Sequence, residues 1–326
     1  MTLRIGFIGG GGIASRHAAT LAQFDDVEMV AVADPDRTRA EAFAADRALV
    51  SYDDHEEMLA RERPDAVYVC TPPFAHGAPE LALAARGIPF FVEKPIATDP
   101  DTAEAIGAAV ERQRLVTGVG YHWRYLDTTE EAARHLRSRP PRLVTGYWLD
   151  ATPPPAWWIS ESRSGGQMVE QTTHIFDLAR VLVGEVSEVY AIAGRTPRPD
   201  YPACDIAEAS TAALRFAGGA VGTISSTCLL HWPHRIGLHL FADGLAIELS
   251  EFELMVDVGQ GRPVRPATGD PFLREDRDFV DAVLGRPNRI RAPYAEALKT
   301  HRLTMAAARS AREGRPIRLD AEARHG

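Results

Sequence analysis

The feature that most constrains this chain is a run of four glycines, Gly9–Gly12, between an apolar segment, Leu3–Ile8, and an Ala-containing stretch of helical texture. A strand that ends in glycines and runs straight into a helix leaves backbone N–H groups exposed at the helix's positive end. Without side chains in the way, a large anion can lie against that backbone. Asp34 stands twenty positions after Ala14, at the end of a second apolar run, Val27–Ala33. A carboxylate placed there can accept hydrogen bonds from ribose hydroxyls. Gly9-x-Gly11-x-x-Ala14 with Asp34 therefore predicts a dinucleotide site, with Gly9, Gly11, Gly12 and Ile13 at the pyrophosphate. The carboxylate favours NAD, because it repels a 2′-phosphate. Arg37 and Arg39 leave NADP open, although a solvated helix face accounts for both more simply.

From residue 3 to about 120, short β-branched runs alternate with helical stretches, the mark of a parallel sheet covered on both faces. The candidate strands are Leu3–Ile8, Val27–Ala33, Ala66–Cys70, Ile88–Val92 and Leu115–Gly120. Beyond Gly120 the strands follow one another with few helices between: Arg142–Leu149, Val186–Gly194, Ala209–Phe216, Ala220–Cys228 and Ile236–Ala242. Gly218-Gly219 marks a hairpin turn. At 326 residues the chain exceeds one core. The expectation is an α/β Rossmann domain over 1–120, with a doubly wound parallel sheet. An α+β domain over 121–326, with a large, mostly antiparallel sheet, follows it.

A net charge of −9 argues against nucleic acid or an anionic membrane as partner. Apolar runs such as Ala66–Cys70 are strand-length, far short of the roughly 20 residues that span a bilayer. The N-terminus has no signal-peptide architecture. Three widely spaced cysteines, Cys70, Cys204 and Cys228, suggest neither a disulfide framework nor a thiolate metal site, and no metal ligands are expected. A cytoplasmic protein with a small-molecule substrate is the simplest reading.

In doubly wound sheets, ligands bind beyond the carboxyl ends of the strands. Glu93-Lys94-Pro95 directly follows Pro89–Val92 at such an end. An ammonium there could hold a substrate hydroxyl and stabilise developing negative charge; position alone leaves an ordinary surface turn equally open. Gln167–Val183 has the periodicity of an amphipathic helix, with Glu170, His174 and Asp177 on one flank and Glu170 four residues before His174. A carboxylate beside an imidazole suits a general base. By spacing alone, a surface Glu–His pair is the simpler reading.

Together the motifs resemble the glucose–fructose oxidoreductase, inositol dehydrogenase and rhizopine-catabolism (Gfo/Idh/MocA) family. The resemblance rests on Ile8-Gly9-x-Gly11-x-Ile13-Ala14-x-x-His17, Thr71-Pro72-Pro73-x-x-His76 and Gly87-Ile88-Pro89-Phe90-Phe91-Val92-Glu93-Lys94-Pro95. It continues through Gly165-Gly166-Gln167-Met168-Val169-Glu170-x-x-x-His174-x-x-Asp177 and Asp278-Phe279-Val280. It implies NAD(P)-dependent hydride transfer to or from a hydroxyl-bearing carbon of a sugar, cyclitol or related polyol. Lys94 would orient the substrate, His174 would be the general base, and Glu170 would orient His174 or bind a second hydroxyl. The family's usual aspartate is Glu170 here, and Thr172 stands where glycine is common.

The resemblance also implies that Thr71, Pro72 and His76 lie along the cofactor, with Glu93 at its nicotinamide end and a cis peptide before Pro95. Arg124 would lie near the cofactor, a domain-junction salt bridge being an equal reading. Trp158 would line the sugar face, or, with Trp157, form a small packing cluster. His231 and His234 read as structural histidines. The open face of the second sheet implies a homodimer or homotetramer. Two other functions stay open: glycoside cleavage through transient NAD-linked oxidation, and non-catalytic dinucleotide sensing.

Overall fold

The computed structural model describes residues 2–319. The chain forms two compact units. Among the described residues, one comprises those through Ala97, Asp101–His122 and Asp270–Leu298; the other comprises Thr98–Pro100, Trp123–Gly269 and those from Lys299 onward. A single division at residue 120 does not anticipate the return of Asp270–Leu298 to the first unit. The reason is apolar burial: Phe279, Val280, Tyr294 and Leu298 complete that unit's cores.

The first unit opens with β1 (Leu3–Ile8), α1 (Gly12–Leu21), β2 (Val27–Ala33), α2 (Arg37–Ala45), β3 (Val50–Tyr52) and α3 (His55–Glu62). It continues with β4 (Ala66–Val69), α4 (Ala78–Arg86), β5 (Phe90–Val92), α5 (Pro100–Gln113) and β6 (Thr117–Val119). Among the described residues the sheet order is β3-β2-β1-β4-β5-β6, with every neighbouring pair parallel. β4 and β5 are buried throughout, as strands covered on both faces must be. Between β1 and β4 the order reverses direction, which places a ligand crevice beyond their carboxyl ends. β3 escapes sequence reading because three residues cannot display a period.

The second unit contains α6 (Asp127–Leu136), β7 (Leu143–Ala151), α7 (Glu161–Ser164), α8 (Gln167–Glu170) and α9 (Thr173–Val183). Then come β8 (Val186–Gly194), β9 (Ala209–Phe216), β10 (Val221–Leu230), β11 (Arg235–Ala242), β12 (Leu245–Leu249), β13 (Glu253–Asp257) and β14 (Val264–Pro266). α10 (Pro271–Val283) belongs to the first unit, and α11 (Tyr294–Glu313) and β15 (Ile317–Arg318) follow. The nine described strands run β14-β13-β12-β11-β7-β10-β9-β8-β15, antiparallel except for β7 beside β10. Burial alternates along β9 and β10. One face packs Ala212, Leu214, Phe216 and Ile224 with Ile175, Phe176 and Leu178 of α9. The opposite face leaves Tyr190, Ile192, Val221 and Phe241 exposed. Gly146 on β7 permits the close approach of α9: a Cβ there would lie 2.5 Å from Ile175 Cγ2.

Candidate active site

The glycine turn is shaped as the sequence predicts. Gly9 has φ +92°, and a Cβ on it would stand 2.5 Å from the Cys70 carbonyl oxygen, so no other residue fits. At Gly11 and Gly12 an added Cβ would meet nothing within 4 Å, so the N-terminus of α1 opens onto free space. Neither a side-chain cap nor an acidic first-turn residue occupies that N-terminus. Such a cradle suits a diphosphate. Asp34 is buried beside it, accepting from Gly10 N at 2.9 Å on one oxygen and from Asp36 N at 2.9 Å on the other. Arg39 reaches both Asp34 oxygens, at 3.2 and 3.3 Å. Arg37 instead lies on the exposed face of α2, its Nε 2.8 Å from Glu41. Of the two arginines read from the sequence, the structure brings Arg39 to Asp34.

Beyond β4, Thr71 Oγ1 is 3.5 Å from His76 Nδ1, and that nitrogen is 2.6 Å from Glu80 Oε1. The other Glu80 oxygen accepts from Gly77 N at 2.7 Å, which closes the start of α4 and fixes the His76 loop. Pro72 lies in extended backbone, leading into a short turn at Pro73–Ala75.

Beyond β5 the Lys94–Pro95 peptide is cis. Glu93 is folded inward: Oε2 accepts from Lys94 N at 3.1 Å, and Oε1 lies 3.0 Å from His17 Nε2. His17 Nδ1 is 2.8 Å from Asp276 Oδ1, so the ring of α1 is held between two carboxylates. Glu275 and Asp276 are also buried. Burial alone would strip the His17 proton, but Asp276 and then Glu93 hold its pKa well above the ordinary imidazole value. Burial pushes the Glu275 carboxyl well up, and it also raises Asp276 against the pull of His17. No ligand set was read from the sequence, yet ligand atoms of His17, Glu275 and Asp276 lie within 4.8 Å of one another.

In the second unit the single helix expected over Gln167–Val183 is broken. α8 ends at Glu170 and α9 starts at Thr173, so the i,i+4 spacing of Glu170 and His174 is not that of one helix. Glu170 Oε2 accepts from the Trp158 indole at 2.6 Å. Trp158 is 1% exposed and packs with Ile206 and Cys228, so it offers Glu170 a hydrogen bond and turns no ring face outward. His174 is nearly parallel to two indoles, with centroids 6.2 Å from Trp123 and 5.8 Å from Trp148. Arg124 donates to both oxygens of buried Asp177, at 2.7 and 2.6 Å, and Thr300 adds a third bond at 2.6 Å. Arg124 and Asp177 are thus partners in a buried ion pair. Sequence reasoning missed the tryptophans beside His174 and the carboxylates beside His17; His17 itself was visible in the first motif, without a role.

A parallel sheet switching direction beside a glycine cradle, with a buried acid ending the second strand, defines the class: an NAD-binding Rossmann oxidoreductase. The family model described as "Oxidoreductase family, NAD-binding Rossmann fold" matches residues 3–121, and the GFO/IDH/MocA C-terminal domain matches residues 133–246. The chain belongs to the Gfo/Idh/MocA oxidoreductase family. Among curated relatives, the myo-inositol 2-dehydrogenase of Thermotoga maritima is 28% identical over 233 residues, covering 69% of this chain and 68% of that one. The WlbA dehydrogenase of Bordetella pertussis, solved with NADH and UDP-GlcNAcA, superposes with TM-score 0.84 at 23% identity over 98% and 99% of the two chains. A levoglucosan dehydrogenase solved with NADH gives TM-score 0.87 at 22% identity, with the same coverage. These two structures establish likeness of fold.

Proposed function

We propose that this chain is an NAD-dependent dehydrogenase or reductase of a sugar, cyclitol or related polyol. The observation that carries the reading is the Lys94 turn. It follows β5 at the carboxyl edge of the sheet that also bears the glycine cradle and Asp34, where a doubly wound sheet holds its ligand. When bound, the dinucleotide would supply a hydride acceptor or donor for a carbinol carbon of the substrate. The Lys94 ammonium holds the oxygen on that carbon and stabilises alkoxide character. His174 takes the hydroxyl proton in oxidation and returns it in reduction. Glu170, fixed by Trp158, binds a neighbouring hydroxyl or steers His174. Gly9, Gly11, Gly12 and Ile13 seat the pyrophosphate and Asp34 the ribose, while Thr71, Pro72, His76 and Glu93 line the remaining length. The substrate class draws support from relatives named for inositol and levoglucosan.

The same reading includes a cytoplasmic enzyme, supported by three free cysteines, and a homodimer or homotetramer formed through the exposed apolar face of the second sheet. Among the described residues no helix is long and apolar enough to cross a membrane.

The test is a panel of myo-inositol, levoglucosan, methyl glucosides and free sugars, with NAD and NADP, followed at the nicotinamide absorbance. Lys94→Ala and His174→Ala should each lower turnover by about 10²-fold or more with NADH affinity nearly unchanged. Wild-type turnover in His174→Ala removes the histidine from the scheme. Release of an aglycone from a glucoside without net NADH would favour glycoside cleavage instead.

A further inference from the structure

We propose that His17 is a positioning residue for the Glu93-Lys94-Pro95 turn: a buried imidazolium gripped between Asp276 and Glu93 that fixes the Glu93 carboxylate and, through it, the peptide carrying Lys94. This rests on the reading of Lys94 as the residue that holds the substrate oxygen.

The geometry leaves His17 little choice of protonation. Each ring nitrogen faces a carboxylate oxygen, at 2.8 Å and 3.0 Å, and a neutral imidazole has only one N–H to donate. A ring with one bare nitrogen would set lone pair against lone pair on one side. With both nitrogens protonated, both contacts are charge-assisted hydrogen bonds.

Glu93 passes that constraint to the turn. Its first oxygen is held by His17 and its second by the Lys94 amide. Gly120 supplies the wall: any Cβ there would collide with this carboxylate, so its seat is shaped for it. The ring of His17 packs against Phe91 at 4.9 Å, Tyr68 at 5.2 Å and Phe272 at 5.5 Å, and none of it is exposed.

The titratable groups around His17 and its two carboxylates come from three elements. β4 and the residue after it bring Tyr68 and Cys70, α10 brings Glu275 and Asp276, and the turn brings Glu93. Burial raises the phenol, the thiol and the Glu275 carboxyl, which disfavours the charged form of each. Although His17, Glu275 and Asp276 are close enough to hold a cation, a metal on Nδ1 would take from His17 the Asp276 contact that the ring already makes. A second proton on His17 satisfies both of its ring contacts.

Two measurements on the whole chain test this. In ligand-free protein with ¹⁵N-labelled histidine, the His17 ring should show both nitrogens protonated at pH 8. A neutral single-tautomer ring would overturn the proposal, as would a signal that moves with zinc sulfate and returns with EDTA. In the kinetic arm, with the polyol turned over fastest by wild type, His17→Gln should lower kcat about tenfold or more, with KM and NADH affinity within about twofold. Glu93→Gln should lower kcat to a similar extent, and the double variant should have a kcat no lower than the poorer single one, because both act through one connection. Multiplying losses, or a full-rate His17→Gln beside an inactive Lys94→Ala, would overturn the positioning role alone. A full-rate Lys94→Ala would overturn the parent reading with it. Should His17→Gln fail to fold, Asp276→Asn keeps an acceptor for Nδ1–H; its His17 ring should lose the second proton at lower pH than wild type, and an unchanged titration would count against the proposal.

Discussion

At Asp34 one carboxylate does two things at once. It ties the glycine turn to the end of β2 through Gly10 N and Asp36 N, and it keeps acceptor capacity for ribose hydroxyls. Its place was legible because β1, the turn, α1 and β2 have nearly fixed lengths, so spacing alone located it. Which arginine accompanies it was not, because that depends on the phase of α2. Asp36 caps that helix by accepting from Arg39 N at 3.2 Å, and the register so set sends Arg39 over Asp34 and Arg37 towards Glu41. Asp34→Ala should therefore raise the KM for NAD about tenfold and narrow the preference over NADP, since the freed Arg39 can then pair with a 2′-phosphate. Steady-state kinetics with both coenzymes decides this; an unchanged ratio would mean that Asp34 does not read the ribose.

The broken helix shows what periodicity cannot reveal at the scale of an element. From Gln167 to Val183 the sequence contains neither glycine nor proline, so nothing local signals an interruption. Two tertiary ties pull the halves in different directions. Gln167 Nε2 donates to the Thr227 carbonyl of β10 at 3.0 Å and to Gln171 Oε1 at 3.1 Å, which anchors α8. Ile175 settles on the bare backbone of Gly146, which anchors α9. The longer strands of both sheets were easier to read, because burial on one or two faces writes its pattern directly into residue type, whereas the short strands β12 to β15, like β3, were not read. The Arg124–Asp177 pair lay outside such patterns, its members 53 positions apart. Arg124→Met should destabilise the second unit by about 3 kcal/mol, because it leaves a buried carboxylate without its cation. Arg124→Met/Asp177→Asn should recover part of that loss. Urea unfolding of the three proteins measures both, and an Arg124→Met midpoint equal to wild type would show the pair to be energetically idle.

For the molecule as a whole, α10 carries two carboxylate effects of opposite sign. Arg277 of α10 bonds Asp26 at 2.9 and 3.2 Å, Arg286 joins it, and these bonds lower Asp26 to about 2. A depressed carboxylate contributes stability that is present above its unfolded value near 3.8 and is lost as pH falls towards 2. Glu275 sits on the same helix with its pKa raised by burial, so its contribution is present below its unfolded value of 4.5 and is lost as pH rises. Neither slope is legible in the sequence, where both are acids of ordinary type; burial and partners, which only the fold assigns, separate them. Asp26→Asn should be about 1 kcal/mol less stable than wild type at pH 6 and converge on it as pH approaches 2. Glu275→Gln should gain on wild type as pH rises above 4.5, whatever its offset at the acid end, because the variant no longer has a carboxyl whose ionisation burial opposes. Urea midpoints across that range measure the difference, and parallel curves for wild type and Glu275→Gln would show that Glu275 titrates in the folded chain as it does in the unfolded one.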